Sequence, residues 1–373
     1  MHFNLTDEQT LFVESASRYV RERSDIENKR KTTAEDSCFS SQHWQQFAEM
    51  GWLALTLPEK ADGLGCGIND LFVLMEQIGR GVFHEPVVDT PILCGSILAD
   101  SLDNPLALTT LQQIGTGESI AALAHIEANG RCEFSTKITT SATKNADGWQ
   151  LNGRKERVFY APQAQQLIVS ALANNEVALF IVDTSNAGLS IEAYAMIDGS
   201  HAADITLDNV TIPADALLLS GSHAVDALNL ALDKAITADC ARALGSMETV
   251  MAMTAEYIKT RVQYGKPLAQ FQALQHRMSE MLVEYEQANA IMYRSLSLFD
   301  DAKQRRSAVS AAKVIVSKAG KWIAGQGIQL HGGIGVTEEY AVGHHYKAML
   351  TLEQRFGTND WHLRQCETII DTP

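Results

Sequence analysis

The residues of this chain best suited to holding a ligand fall in two short runs, Arg261-Val-Gln-Tyr-Gly-Lys-Pro and Gln329-Leu-His-Gly-Gly-Ile-Gly. Arg261 offers a planar fork of donors that matches a pyrophosphate, and Tyr264 a flat face for an adenine ring. Gln329 adds an amide, and Gly332 and Gly333 let backbone approach a phosphate closely. Taken alone, the glycine run is more simply a helix-ending turn. His344 and His345 in GHHYK suggest a metal, but no Asp, Glu or Cys cluster accompanies them at ligand spacing. They are therefore expected to be surface or interface histidines, with no metal bound.

These runs need helices to carry them. Phe271, Leu274, Met278, Leu282, Tyr285, Ala288 and Met292 keep three-and-four spacing, and a second such pattern runs from Ala308 to Ile323. Each predicts a long helix with one apolar face, suited to a C-terminal bundle that also offers an oligomer interface. Upstream, Ser119 to Leu219 is β-rich: Leu167-Ile-Val-Ser-Ala and Val177-Ala-Leu-Phe-Ile-Val are strand-like, and Asp147-Gly148 reads as a hairpin turn. The first ~115 residues are helical again, with a Thr6/Gln9 capping box and an apolar face of Leu11, Phe12, Ala16, Tyr19 and Val20. His43–Leu55 and Asp70–Arg80 are amphipathic, and LPEKADGLGCG between them is a loop. The expected fold is mainly α with an inserted β domain: 1–118 helical, 119–221 β, 222–373 a helical bundle.

Composition narrows the partners. The 373 residues carry a formal charge of −15 and no basic block, which argues against nucleic acid. No apolar run approaches the ~20 residues a membrane helix needs, and MHFNLTDEQT lacks the features of a signal peptide. Six scattered cysteines without a CxxC pair suit reduced thiols in the cytoplasm.

Four ordered motifs resemble the acyl-CoA dehydrogenase superfamily: GWLALTLPEKADGLG followed by Glu76 in LMEQIGR, LDNVTIPADALL, and the two C-terminal runs. The resemblance covers essentially the whole chain. It implies that family's fold, with an N-terminal helical domain, a middle β-barrel-like domain and a C-terminal four-helix bundle, and FAD as cofactor. At family spacing, Arg261, Gln263, Tyr264, Gln329, Gly332 and Gly333 are implied to face FAD, with Gln272 and Thr358 either beside it or simply structural.

The catalytic residue is missing. The family uses a glutamate before Gly-Thr to remove the α-proton of the acyl thioester while hydride leaves to the flavin. That position holds Phe356, and the alternative position, on the preceding helix, holds Ala235 followed by Ile236. The loop that should flank the flavin reads AHIEANGRCEF, and the Trp-Ile-Thr run is replaced by Arg157, Val158 and Phe159. Asp239 or Glu353 could be a relocated base; surface solvation is the simpler role for each.

In the family the flavin lies across a subunit interface, one chain seating the isoalloxazine and its neighbour meeting the ADP half. This chain keeps the neighbour's motif and departs at the host's. With QLHGGIGVTEEYAVGHHYK and HEPVVDT, it resembles the small, base-lacking subunits of bacterial heteromeric acyl-CoA dehydrogenases. The resemblance implies α,β-desaturation of an acyl-CoA, including bulky steroid- or ring-derived acyl groups in lipid or steroid catabolism. It also implies a homologous base-bearing partner in a heterotetramer, and electron-transfer flavoprotein as acceptor. Two other readings fit the same residues: a homomeric flavoenzyme with a relocated base or different chemistry, and a structural partner without flavin.

Overall fold

The computed structural model describes residues 5–33, 38–128, 137–146 and 148–370. Helices α1 (Asp7–Arg23), α2 (Ile26–Thr33), α3 (Ser41–Glu49), α4 (Ile68–Gly79), α5 (Gly95–Ala99) and α6 (Pro105–Gly115) come first. The capping box opens α1: Gln9 N–H donates to Thr6 Oγ1 and Thr6 N–H to Gln9 Oε1, both at 3.1 Å. Of its anticipated apolar face only Ala16 and Val20 are buried, and Leu11 stands exposed. A π-helical turn, Val88–Cys94, lies ahead of α5 with Pro91 inside it, a break that periodicity does not announce.

Strands β1 (Ala121–Ala124), β2 (Ser141–Lys144), β3 (Trp149–Phe159), β4 (Gln166–Ala173), β5 (Glu176–Asp183), β6 (Leu189–Ala195), β7 (His201–Ile212) and β8 (Leu217–Ser220) form one sheet. Its order is β6-β7-β3-β2-β4-β5-β8, with β1 parallel to β4. The β2–β3 hairpin is closed by Asn145 N–H donating to Gly148 O at 3.0 Å, and Gly148 takes φ 144°. Asp147 of that turn, and 129–134 of the loop after β1, lie outside the described residues. So does Cys132; the five described cysteines are free thiols.

The rest is helical: α7 (Gly221–Thr260), a two-stranded hairpin β9 (Val262–Gln263) and β10 (Lys266–Pro267), then α8 (Gln272–Ser297), α9 (Arg305–His331), α10 (Ala341–Gln354) and α11 (Asn359–Ile370). Contacts divide the chain into two units, with changes at Gly67/Ile68, Phe83/His84 and Ala235/Ile236. One unit holds the sheet with α3, α5, α6 and the start of α7; the other holds α1, α2, α4, α7 from Ile236 onward, and α8 to α11.

Within the helical unit, α4 and α7 cross glycine to glycine. A Cβ on Gly79 would lie 2.0 Å from Arg242 O, and one on Gly245 1.9 Å from Glu76 O. No other residue permits so close a backbone approach. The apolar face of α9 is buried inside its own chain from Ala308 to Ile323, so it is a core helix of the bundle rather than a surface held for another subunit. On α8 the pattern divides: Ala288 and Met292 are buried, whereas Leu282 and Val283 are exposed. Among the described residues no helix is long and apolar enough to cross a membrane.

Candidate functional site

The arginine–tyrosine run forms the tip of the β9–β10 hairpin. Gln263 pairs with Lys266, and Tyr264 and Gly265 turn the chain with φ 54° and 78°. This places Tyr264 in the open, 91% exposed, its ring touching only the edge of Phe271 at 6.3 Å. Lys266 Nζ sits 4.3 Å over the Phe271 ring and braces the base of the hairpin. The second run ends α9: Gly332 takes φ 64°, and a Cβ at Gly332 or Gly333 would meet nothing within 4 Å. Arg261, Gln263 and Gln329 are exposed, and their side chains have no hydrogen-bond or ion-pair partner among the described residues.

One contact brings the two runs together. Arg261 N–H donates to Tyr257 O at 2.8 Å, and the Tyr257 ring lies 4.5 Å from the ring of His331, the residue before Gly332. Tyr340 also packs against His331, with ring centroids 4.8 Å apart. Neither tyrosine stands out in the sequence, because each is one more apolar-tolerant position in a helix-rich stretch. The product is an unpaired guanidinium, two amides, an open aromatic face and a glycine turn with free space over it. That donor set fits the ADP end of FAD: phosphate for the guanidinium and glycine turn, adenine for the tyrosine. Gln272 opens α8, exposed and without a capping hydrogen bond. Thr358 has a structural task, its Oγ1 accepting from Trp361 N–H at 3.3 Å at the start of α11.

The turn after α10 is different in kind. Phe356 is buried (5% exposed) in a left-handed conformation, φ 56°, followed by Gly357 at φ 106°. The guanidinium of Arg355 lies 4.7 Å over its ring, and His362 Nε2 is 3.0 Å from its carbonyl. Arg355 Nε donates to Asp239 Oδ2 at 2.7 Å, and both side chains are buried. Arg242 NH1 stands 3.5 Å from the other oxygen of Asp239. Asp239 is thus neither solvated on a helix surface nor a free base: two guanidiniums occupy it. Lys313, fully buried, donates to Leu352 O in the same turn of α10, and burial depresses its pKa. Glu353 pairs with Lys321 at 2.9 Å and accepts from Asn359. Ala235, at the alternative base position, is also fully buried. Among the described side chains at this turn, nothing is free to take a proton from carbon.

The histidines of GHHYK are buried rather than at the surface, because α10 turns them inward. His345 Nδ1 is 2.6 Å from Ser246 Oγ, and His344 Nε2 is 2.9 Å from Glu338 O. Burial pushes the His345 pKa down to about 3, so it serves as a neutral core residue. No group of three or more His, Cys, Asp or Glu among the described residues is placed to hold a metal ion.

In the sheet unit, residues 157–159 stand at positions expected to seat an isoalloxazine. Register shifts between Lys155 and Val158, where β3 bulges. Arg157 sits in that bulge at φ 52°, its N–H donating to Asp204 Oδ1 at 3.1 Å, and Val158 is buried. Residues 157–159 offer one ring, that of Phe159, but no hydroxyl donor. Close by is a cluster that the sequence did not flag. Lys155, wholly buried, donates to Glu127 Oε1 at 2.8 Å and to Ser170 Oγ at 3.1 Å. Glu127 also accepts from the N–H groups and hydroxyls of Thr139 and Thr140. Burial alone would raise the Glu127 pKa, but these donors pull it down to about 2; burial lowers Lys155 to about 8 against the pull of Glu127. Its backbone-directed bonds make this a clamp on the return of the loop after β1.

Comparison with known proteins bears on the fold and the family. Residues 6–100 match the acyl-CoA dehydrogenase N-terminal domain and residues 229–370 the acyl-CoA dehydrogenase C-terminal domain. The acyl-CoA dehydrogenase FadE12 of Mycobacterium tuberculosis is 28% identical, over 84% of this chain and 82% of that protein. The human mitochondrial short-chain specific acyl-CoA dehydrogenase is 27% identical, over 86% and 80% respectively. A variant of the Tcur3481–Tcur3483 steroid ACAD superposes with a TM-score of 0.86 at 28% identity, covering 98% of each chain. Fold, domain matches and the cofactor-type donor set lead to one assignment: this chain belongs to the acyl-CoA dehydrogenase superfamily, whose members are FAD-dependent oxidoreductases acting on CH–CH bonds.

Proposed function

We propose that this chain is the base-lacking subunit of a heteromeric, cytoplasmic acyl-CoA dehydrogenase. Arg261, Gln263, Tyr264, Gln329, Gly332 and Gly333 would meet the ADP end of an FAD whose isoalloxazine is seated by a homologous, base-bearing partner. When bound, FAD would supply the hydride-accepting chemistry toward the β-carbon, and the partner's carboxylate would take the α-proton. The observation that carries this reading is the contrast between an exposed, unpaired ADP-type donor set and a base position filled by a buried phenylalanine under a paired arginine. The name of the similar Tcur3481–Tcur3483 protein, a steroid ACAD, favours a bulky acyl group as the substrate. A heterotetramer, electron transfer to an electron-transfer flavoprotein and the three-block division 1–118, 119–221 and 222–373 belong to the same proposal.

Co-expression with a base-bearing homologue, followed by the flavin-to-protein ratio, tests it. The expected result is an isolated chain that loses flavin and desaturates no acyl-CoA, and a complex with one FAD per pair that does. Full flavin occupancy in the isolated chain would favour a homomeric flavoenzyme, and no flavin even in the complex a structural partner. Phe356→Glu alone should not create a dehydrogenase, because the new carboxylate would lie beneath the buried Arg355–Asp239 pair and 157–159 lack a hydroxyl donor. Oxidation of acyl-CoA by that variant as a single chain would show that the flavin seat is intact.

A further inference from the structure

We infer that His331 is a positioning residue for the ADP-facing surface, acting with Tyr257 and Tyr340 as the joint that holds the hairpin and the glycine turn in register. The inference rests on the reading of Arg261 and the glycine turn as the ADP site, and adds three residues that the motif itself does not assign.

The hairpin and the glycine turn are each weakly held. β9 and β10 are two residues long, and a hairpin of that size has little stability of its own. Gly332 and Gly333 are exposed and touch nothing in the direction of a side chain. What these segments share is His331. Its Nδ1 is 2.7 Å from Gly327 O, and since a carbonyl only accepts, Nδ1 carries the proton and the ring is pinned to the last turn of α9. Tyr257 and Tyr340 pack on it at 4.5 and 4.8 Å, and burial pushes its pKa below the ordinary histidine value, so it is neutral at pH 7. Tyr257 in turn accepts the N–H of Arg261, so the ring contact fixes the arginine's backbone relative to Gly332. A diphosphate spanning a guanidinium and a glycine turn requires both at one spacing; a shift of an ångström lengthens charge-assisted bonds beyond their useful range.

The test titrates FAD into flavin-stripped protein, as the complex, or as the single chain if that retains flavin. His331→Ala is expected to raise the FAD dissociation constant about tenfold, and His331→Phe, which keeps three rings in contact, to stay within about twofold of the parent. Because His331 acts through the placement of Arg261, the two substitutions should not multiply: Arg261→Ala should cost clearly less in the His331→Ala background than alone. Melting of the flavin-free protein separates this from general loosening, since a structural role would lower the midpoint without that coupling. If His331→Ala does not fold, Tyr340→Leu removes one ring from the same joint and should weaken FAD in the same way. Unchanged FAD affinity in His331→Ala, or independent effects of the two substitutions, overturns the inference. Failure of Arg261→Ala itself to weaken FAD overturns the underlying reading instead, so the two failures are distinguishable.

Discussion

The hairpin of Arg261 and the turn of Phe356 both lie in the helical unit, both carry arginine and an aromatic ring, and both turn through a left-handed residue. They differ in how the charges are satisfied. Arg261 and Tyr264 face outward, the arginine without a partner in its own chain. Arg355 and Phe356 face inward, the arginine closed against Asp239 and the ring beneath it. An exposed guanidinium gains little for the fold, so on the proposed reading the composition of the hairpin is explained by what it binds. A buried guanidinium must be paired or the fold suffers. On the proposed reading the first region is arranged for a ligand, whereas the second serves the chain itself.

The largest effect should come from breaking the inward pair. Asp239→Ala leaves Arg355 buried without its carboxylate, a change that typically costs 3–5 kcal/mol. Denaturant unfolding should show that loss, and Asp239→Leu combined with Arg355→Met should recover most of it. If Asp239→Ala unfolds like the parent, the pair is not what holds the turn, and a catalytic use of Asp239 returns to consideration.

Removing the outward arginine should have the opposite profile. Arg261→Ala should leave the unfolding midpoint of the flavin-free protein where it was, because the side chain has no partner to lose. FAD retention should fall by about one to two orders of magnitude, since a charge-assisted bond is worth roughly 1.5–3 kcal/mol. Turnover per bound FAD should change little. A collapse of turnover at full occupancy would place Arg261 near the chemistry and erase the contrast between the two regions.

Much of this was legible in the sequence, and the gaps have physical causes. Periodicity of three and four residues announces α8 and α9, and alternation with Asn, Asp and Gly turns announces β3–β5, because both follow from the geometry of the backbone. That Phe356 cannot serve as a base was legible, because a phenylalanine cannot take a proton wherever it sits. Periodicity does not tell whether an apolar face meets its own chain or another, so α9 looked like an interface and proved to be core. Charged residues mislead in the same way. Asp239, Lys155 and Glu127 read as surface or unremarkable positions, and only tertiary structure brings them to Arg355 and to each other. The joint at His331 joins Tyr257 to Tyr340 across more than 80 residues of sequence, a pairing no local pattern records.

The smallest effect sharpens the comparison by adding a third kind of charge, the Lys155–Glu127 pair in the sheet unit, which is buried like Arg355 but titratable. Lys155 lies below its ordinary value, at about 8, so between about 8 and 10.5 the unfolded chain binds more protons than the folded one and stability rises with pH. Glu127 is held down at about 2, so its contribution is complete above about 4.5 and is lost as acid falls toward 2. Lys155→Met should abolish the alkaline gain, roughly 1–2 kcal/mol between pH 8 and 10 relative to the parent. Glu127 would still accept from Thr139 and Thr140, so those bonds should persist and the acid limb should move upward only in part. Thermal melts of parent and variant across pH 3 to 10 give both limbs, and the difference between the two proteins cancels the titration of tyrosines elsewhere. Arg355, which cannot lose its proton in this range, should contribute no such alkaline limb. A parent and variant with parallel profiles above pH 8 would mean that Lys155 keeps an ordinary lysine pKa despite its burial. The clamp would then be hydrated in solution, and the contrast drawn here between open and closed charges would not extend to the sheet.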